Sequence, residues 1–498
     1  MTPALPPGNA RRTLLVLTGV ALLVNYVETM IIPGVPKIQI DLGTTASIAS
    51  WITSAYLIVG SAVAPLFGKL GDIYGKKRML LVSLVFYMAG VALAGFASSI
   101  YMLIFARALQ GIGIAILPLG LAIITEVFPR EKVAMAQGVI SGTFAIGAAA
   151  GLILGAYVVQ DLGWPYAFHT ALVFSAVLFV VAAKLLRKDS PSTHARSVDF
   201  LGAGTLMGSV SLFLLYVTEG PTLGWLGNEE LAVLSAGAAL LVSFLVLESS
   251  RPNPLIQLRL LRVRNVLVAN LIGTLSGTAL FLLFFAVVYY TQLPADFGLG
   301  MGVIESGWTL GPSALGMFVG GFLAGKLVQR SGPKPVLAIG AVISAAGLSL
   351  LTLGRSTAGD VAVDLVVALT GIVFLIVPIV NMVAVSLPRE STAVGLGMNT
   401  MLRNIGGAIG PVVATTIMTS YTSPYSLATR GQVISVALPN ATAFGYIFGL
   451  GVVLMLAVIA VNLATKNYTF KTAARLPGPE PEALLGQPGV LRAERSGA

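Results

Sequence analysis

Long apolar runs, separated by short polar or turn-forming stretches, dominate the chain. They fall near residues 13–32, 46–67, 78–97, 100–124, 136–158, 165–186, 200–218, 229–248, 265–290, 304–328, 335–354, 360–386, 393–418 and 441–464. Each is close to the roughly 20 residues a helix needs to cross a bilayer and far longer than the roughly 10 alternating residues of a barrel strand. The pattern predicts an all-α integral membrane protein with fourteen transmembrane helices. The first run has no small-residue cleavage site and continues into Pro33 and Pro36, which argues against a cleavable signal peptide. Residues 187–199 read as a polar linker and residues 465–498 as a disordered tail, its later part rich in Pro, Gly and Ala.

Composition narrows the function. Of 498 residues, 56% are hydrophobic and only 10% charged. Soluble domains carry roughly 25% charge, so a soluble multidomain enzyme is excluded. The chain has no cysteine and 2 histidines, which removes disulfides, thiolate metal sites and cysteine nucleophiles and leaves little for imidazole chemistry. No phosphate loop, metal cluster or hydrolase constellation stands in the sequence, and Glu131 and Glu390 belong to loops rather than to a pair of catalytic acids. We expect no enzyme activity, no metal and no cofactor.

The formal charge of +10 is a topology signal. With the N-terminus in the cytoplasm, 25 of the 30 Lys and Arg residues fall in the N-tail, the even-numbered connections and the C-tail. Only Lys37, Arg355 and Arg430 lie on the other side, and Arg107 and Arg403 lie within spans. A miscount by one helix would scramble this alternation, so the positive-inside rule supports fourteen spans with both termini cytoplasmic. Nucleic acid is then not an expected partner.

The chain also repeats itself. Pro129-Arg130-Glu131 and Pro388-Arg389-Glu390 are 259 positions apart, and at that offset Ala134, Gly138, Ile146, Gly147, Ala149 and Gly151 recur as Ala393, Gly397, Ile405, Gly406, Ala408 and Gly410. Gly68-Lys69-Leu70 and Gly75 recur, offset by 257, as Gly325-Lys326-Leu327 and Gly332. Matching helices share one membrane orientation, so this is a parallel repeat of six helices. It divides the chain into a six-helix bundle at 13–186, the linker, two additional helices at 200–248 and a second bundle at 265–464. Two such halves around a midplane cavity are the architecture of a rocking secondary transporter.

The polar residues inside spans are the candidates for its chemistry. Glu28 is the one carboxylate far from a predicted helix end. Asn25, Glu28 and Thr29 share a face that can line a cavity. An arginine inside a span costs a few kcal/mol on insertion scales and needs a partner or water. Arg107 is therefore matched in depth with Glu28 as an expected partner, both lying roughly 6 to 11 Å below the outer boundary. A carboxylate there can gain or lose charge with the side it sees, as a proton site requires. Arg403 lies near the middle of its span, where it can attract an anionic group, stabilise the repeat interface or tune a carboxylate. Tyr26, Trp51, Tyr56, Gln110, Trp308 and Asn399 are candidate cavity residues with Asn25 and Arg403. Tyr289 and Tyr290 fit interfacial anchors better. Gly147, Gly151 and Gly155 form a smooth stripe for close helix packing.

Between spans 2 and 3 stands Gly68-Lys69-Leu70-Gly71-Asp72-Ile73-Tyr74-Gly75-Lys76-Lys77-Arg78, and span 4 carries Arg107-Ala108-Leu109-Gln110-Gly111. Here the chain resembles the major facilitator superfamily, whose patterns at these places are Gly-x-x-x-Asp-x-x-Gly with basic residues and Arg-x-x-x-Gly. With fourteen spans it is similar to the drug:proton antiporter branch. The resemblance implies a cytoplasmic latch of Gly68, Asp72, Gly75, Lys76, Lys77 and Arg78, an Arg107 that assists proton transfer, and export of amphipathic or cationic small molecules from a monomer in the cell membrane. Two departures stand out. Gln329 replaces the acid in the second copy of the latch, and Leu152 stands where the branch's span-5 motif has proline, which appears instead as Pro411. A transporter of a specific metabolite or organic anion is the alternative, with a non-transporting sensor or scaffold more remote.

Overall fold

The computed structural model describes residues 7–128, 130–186, 199–251, 254–429 and 432–468. Pro129, most of the linker read at 187–199 and residues 469–498 of the tail lie outside them. The chain is helical almost throughout: α1 (Pro7–Met30), α2 (Val35–Asp41), α3 (Ala46–Tyr74), α4 (Lys76–Gly95), α5 (Ile100–Gly111), α6 (Ile116–Val127), α7 (Arg130–Asp161) and α8 (Trp164–Leu185) form a first group. Next come α9 (Phe200–Leu223) and α10 (Asn228–Ser250), then α11 (Arg264–Gln292), α12 (Val303–Ser331), α13 (Pro333–Leu353), α14 (Ala358–Ser386), α15 (Arg389–Ser420) and α16 (Ala441–Leu463). Among the described residues, 12 helical segments are long and apolar enough to cross a membrane. The fourteen read from sequence add α7 and α15, each 32 residues long but interrupted by glycine and polar residues.

Two predicted spans are not simple helices. The first continues through a tight turn at Ile32–Gly34 into α2, so that it ends at Asp41 rather than near residue 32. Glu28 is therefore 13 residues (41 − 28) from the end of that segment. The fourth is broken at Ile112–Ala115. There Gly111 lies against the α3 backbone, where a Cβ would meet the Tyr56 carbonyl at 2.4 Å, and Gly113 lies under the Tyr87 ring.

An element absent from the sequence reading joins α15 to α16. Strands β1 (Thr422–Thr429) and β2 (Gln432–Pro439) form an antiparallel hairpin, with Tyr425 paired to Val436.

One end of the molecule is basic. Lys77 donates to the Ala183 and Leu186 carbonyls at the end of α8, Lys69 to Pro254, Arg264 to Ala464 and Lys334 to Leu463. Here too the first residues of the predicted tail are held in place, Lys466 by Asn265 and Asn467 by Ser331. The opposite end, the far face, carries the hairpin.

The repeat is visible in the packing. α7 lies on α1 as α15 lies on α11. A Cβ at Gly147, Gly151 or Gly155 would strike the α1 backbone between Leu22 and Met30, and one at Gly406 or Gly410 would strike α11 between Thr274 and Leu282. Gly75 and Gly332 close the two related turns with φ of 97° and 83°, a region that favours glycine.

Candidate functional site

Arg107 is fully buried in the first group. Its Nε donates to the Ile52 carbonyl of α3 at 3.1 Å and one terminal nitrogen donates to Gln110 Oε1 at 2.6 Å, while the guanidinium lies 4.6 Å over the Tyr56 ring. Among the described residues its other terminal nitrogen has no partner, nor have Gln110 Nε2 and the hydroxyls of Thr53, Tyr56 and Tyr87. Orphaned buried polar groups each cost about 1–3 kcal/mol, so this cluster is a place where water or a moving ligand is favoured.

Glu28 of α1 is partly exposed and stands in the electrostatic field of both Arg107 and Arg403. It makes no direct ion pair with either; the ion pairs among the described residues involve Lys76 and Arg251. Arg403 is also partly exposed, makes no side-chain hydrogen bond among the described residues, and rests its stem on Gly277 of α11. The first group thus supplies a carboxylate and a buried cation, and the last group supplies a second cation.

The other predicted cavity residues make contacts of several kinds. Asn25 donates to Ala21 at 2.8 Å and packs on Gly147, and Thr29 donates to the Ala148 carbonyl at 3.1 Å, so the polar face of α1 divides between the α7 seam and Glu28. Tyr26 faces Thr170 of α8. Gln110 and Tyr56 are 0% and 1% exposed and belong to the packing around Arg107. Asn399 donates to Ala269 and to Asn270 Oδ1, inside the α11–α15 seam. Trp51 donates to Thr218 of α9 at 3.1 Å. Trp308, 53% exposed near the start of α12, lines an open pocket with Glu305, Thr309 and Ala362, and its indole nitrogen donates to Tyr157. For Asn25 and Thr29 the shared helical face gave direction but not neighbour.

The predicted latch divides similarly. Lys76 of α4 bridges Asp72 of α3 at 3.9 Å and pairs closely with Glu126 at the end of α6, while Asp72 itself is 69% exposed. Gly71 needs its small size, since a Cβ there would lie 2.6 Å from Leu119, but no described residue stands within 4 Å of one at Gly68. Arg78 is exposed.

The two groups meet at the far face. Among the described residues their hydrogen bonds are Ser54 to Ala408, Gln292 to Pro33, Tyr289 to Gln39, Ile304 to Gln160 and Trp308 to Tyr157. Leu152, which stands where the motif has proline, and Ala156 press against Gly307 of α12. Sequence reasoning missed Gln39, Gln160, Tyr87 and Thr218. It also missed the buried Asp199, which caps α9 through Gly202 and pairs with Arg251. Only its place just before an apolar run signalled it.

Comparison with known proteins agrees with this architecture. Residues 17–411 match the family model described as Major Facilitator Superfamily. The multidrug transporter protein MdtP of Bacillus subtilis is 29% identical over 82% of this chain and 76% of its own length. A probable actinorhodin transporter of Streptomyces coelicolor is 30% identical over 84% of this chain and 74% of its own. A bacterial homologue of the human lysosomal transporter Spinster shares the fold, with a TM-score of 0.63 at 14% identity over 92% of this chain and 97% of that one. The chain belongs to the major facilitator superfamily, and it is a multi-pass membrane transporter rather than an enzyme.

Proposed function

We propose that this protein is a proton-coupled exporter of amphipathic or cationic small molecules, working by alternating access. The observation that carries the reading is Glu28, a carboxylate deep in the first span that is held in the field of Arg107 and Arg403 without being neutralised by a direct pair. Protonation from the outer side removes its charge and favours the state open to the cytoplasm. Release of the proton to the cytoplasm restores the charge, allows substrate to load and returns the carrier, which makes the exchange an antiport. The names of its relatives, a multidrug transporter and a probable actinorhodin transporter, support the substrate class.

In this reading α7 and α15 complete fourteen spans and both termini are cytoplasmic, so the basic face is the inner one. Residues 13–186 and 265–464 rock against each other, residues 187–199 link them across the inserted pair 200–248, and 465–498 form a cytoplasmic tail. Gly68 to Arg78 act as an inner latch that engages when the basic face closes. The working unit is a monomer in the cell membrane.

Arg403 favours a second reading. A guanidinium without hydrogen bond or ion pair among the described residues fits a substrate carrying an anionic group. Uptake into inverted vesicles or proteoliposomes under a pH gradient, compared for cations, zwitterions and organic anions with and without Glu28→Gln, decides between them. Gradient-driven cation transport lost in Glu28→Gln supports the first reading, and gradient-driven anion transport lost on Arg403→Gln supports the second. Proton coupling undiminished in Glu28→Gln overturns the proton site.

A further inference from the structure

Helix α9 belongs to neither repeat, yet it touches both. Its face of Met207, Val210, Leu214 and Val217 lies against Tyr56 and Leu57 of α3 and Ala408 and Val412 of α15. Two adjacent residues then bond in opposite directions. Thr218 accepts from the Trp51 indole of α3 at 3.1 Å, and the Val217 carbonyl accepts from Thr416 of α15 at 3.1 Å. Thr218 and Thr416 are 4% and 7% exposed, so water competes for neither bond.

The two attachments are unequal. Toward the first group α9 and α10 are fastened at both ends, by Trp51 near the far face and by Lys69, which donates to the Pro254 carbonyl at 2.6 Å just beyond α10. The Asp199–Arg251 pair ties the start of α9 to the end of α10. Toward the last group the described hydrogen bond is the one from Thr416, surrounded by apolar contacts that can slide.

We propose that α9 is a catch on the far side of the seam. It travels with the first group, engages α15 through Thr416, and biases the carrier toward the state closed at the far face. This rests on the alternating-access reading, but not on proton coupling or on substrate identity.

The test uses the full chain, whose lack of cysteine allows spin labels to be placed at will. Labels at Ile40→Cys and Leu353→Cys, which are 77% and 86% exposed on far-face segments of the two groups, report opening of that face by pulsed electron resonance distances. Thr416→Val removes the hydroxyl and keeps the shape, and it raises the ratio of long to short distances roughly threefold, the worth of one interhelical hydrogen bond in a membrane. Thr218→Val, which deprives Trp51 of its acceptor, shifts the ratio the same way, and Thr416→Ser restores it. Thr419→Val, whose hydroxyl bonds only within α15, leaves it unchanged. If Thr416→Val gives the distribution of Thr419→Val, α9 is a passive wall and the proposal fails. The measurement needs neither gradient nor substrate, so a failed proton assay would leave its outcome untouched.

Discussion

Thr29 Oγ1 donates to the Ala148 carbonyl at 3.1 Å across the α1–α7 seam, and it does so from the space a side chain at Gly151 would fill, 2.0 Å from an added Cβ. The related seam repeats the device: Thr274 reaches the Leu402 carbonyl at 3.4 Å beside Gly406. In a membrane, where apolar surface is not driven out of water, such close backbone approach and interhelical bonding hold helices together.

Gly151→Ala should therefore destabilise the protein by about 1–3 kcal/mol through overpacking. Thermal unfolding in detergent measures it. Gly204→Ala on α9, where no described residue stands within 4 Å of the new Cβ, serves as the control and should be neutral or slightly stabilising. Equal melting temperatures for the two variants would contradict the packing account.

Glu28→Gln fixes the neutral form of the side chain and should make transport insensitive to a proton gradient. With the native carboxylate, acidifying the outer side promotes protonation there, so export should rise as outer pH falls at constant inner pH. In Glu28→Gln the same titration should be flat, with binding of substrate retained. A pH response equal to the native one would assign the proton to another group.

Arg107→Lys keeps the charge but not the planar fork that serves Ile52 and Gln110 together. Leaving one of those buried acceptors unpaired costs about 1–3 kcal/mol, so transport should fall roughly tenfold at every pH. Its signature differs from that of Glu28→Gln, which alters the shape of the pH profile. Initial rates across a pH series separate the two.

At the basic face Glu126→Gln breaks the Lys76–Glu126 pair, whose acid is 48% exposed. Exposed pairs are worth roughly 0–1 kcal/mol, so stability should change by less than about 1 kcal/mol and by less still in high salt. A loss of several degrees in melting temperature that persists in high salt would show that the pair has a buried, structural role.

The two glycine seams explain how much of this molecule can be read from one sequence. A residue that must be small because a backbone lies against it is small in both copies, so Gly147 with Gly406 and Gly151 with Gly410 announced the repeat and its packing face. The basic turns announced one face of the molecule for a similar reason, since charge in a connection requires nothing but water and headgroups. Polar residues inside the spans were legible only by exclusion: Glu28, Arg107 and Arg403 stand out because burying charge is costly, whichever way they point.

The hairpin at 422–439 was missed because it is short and mixed in polarity among strong apolar runs. The inserted pair was found but could not be placed. Its bonds to Trp51 and Thr416 span 167 and 199 positions, and no local pattern encodes a partner at that distance.

By itself the sequence determined the membrane helices, the repeat, the basic face and the three charged residues that cannot rest in lipid without a reason. Tertiary structure alone decided that Asn25, Asn399 and Trp51 serve seams, that Tyr56 and Gln110 surround Arg107, and that the two groups join at the far face through α9 as well as through each other. The physical reason is that periodicity and desolvation act on single residues and single helices, whereas a hydrogen bond between helices depends on which helix becomes the neighbour.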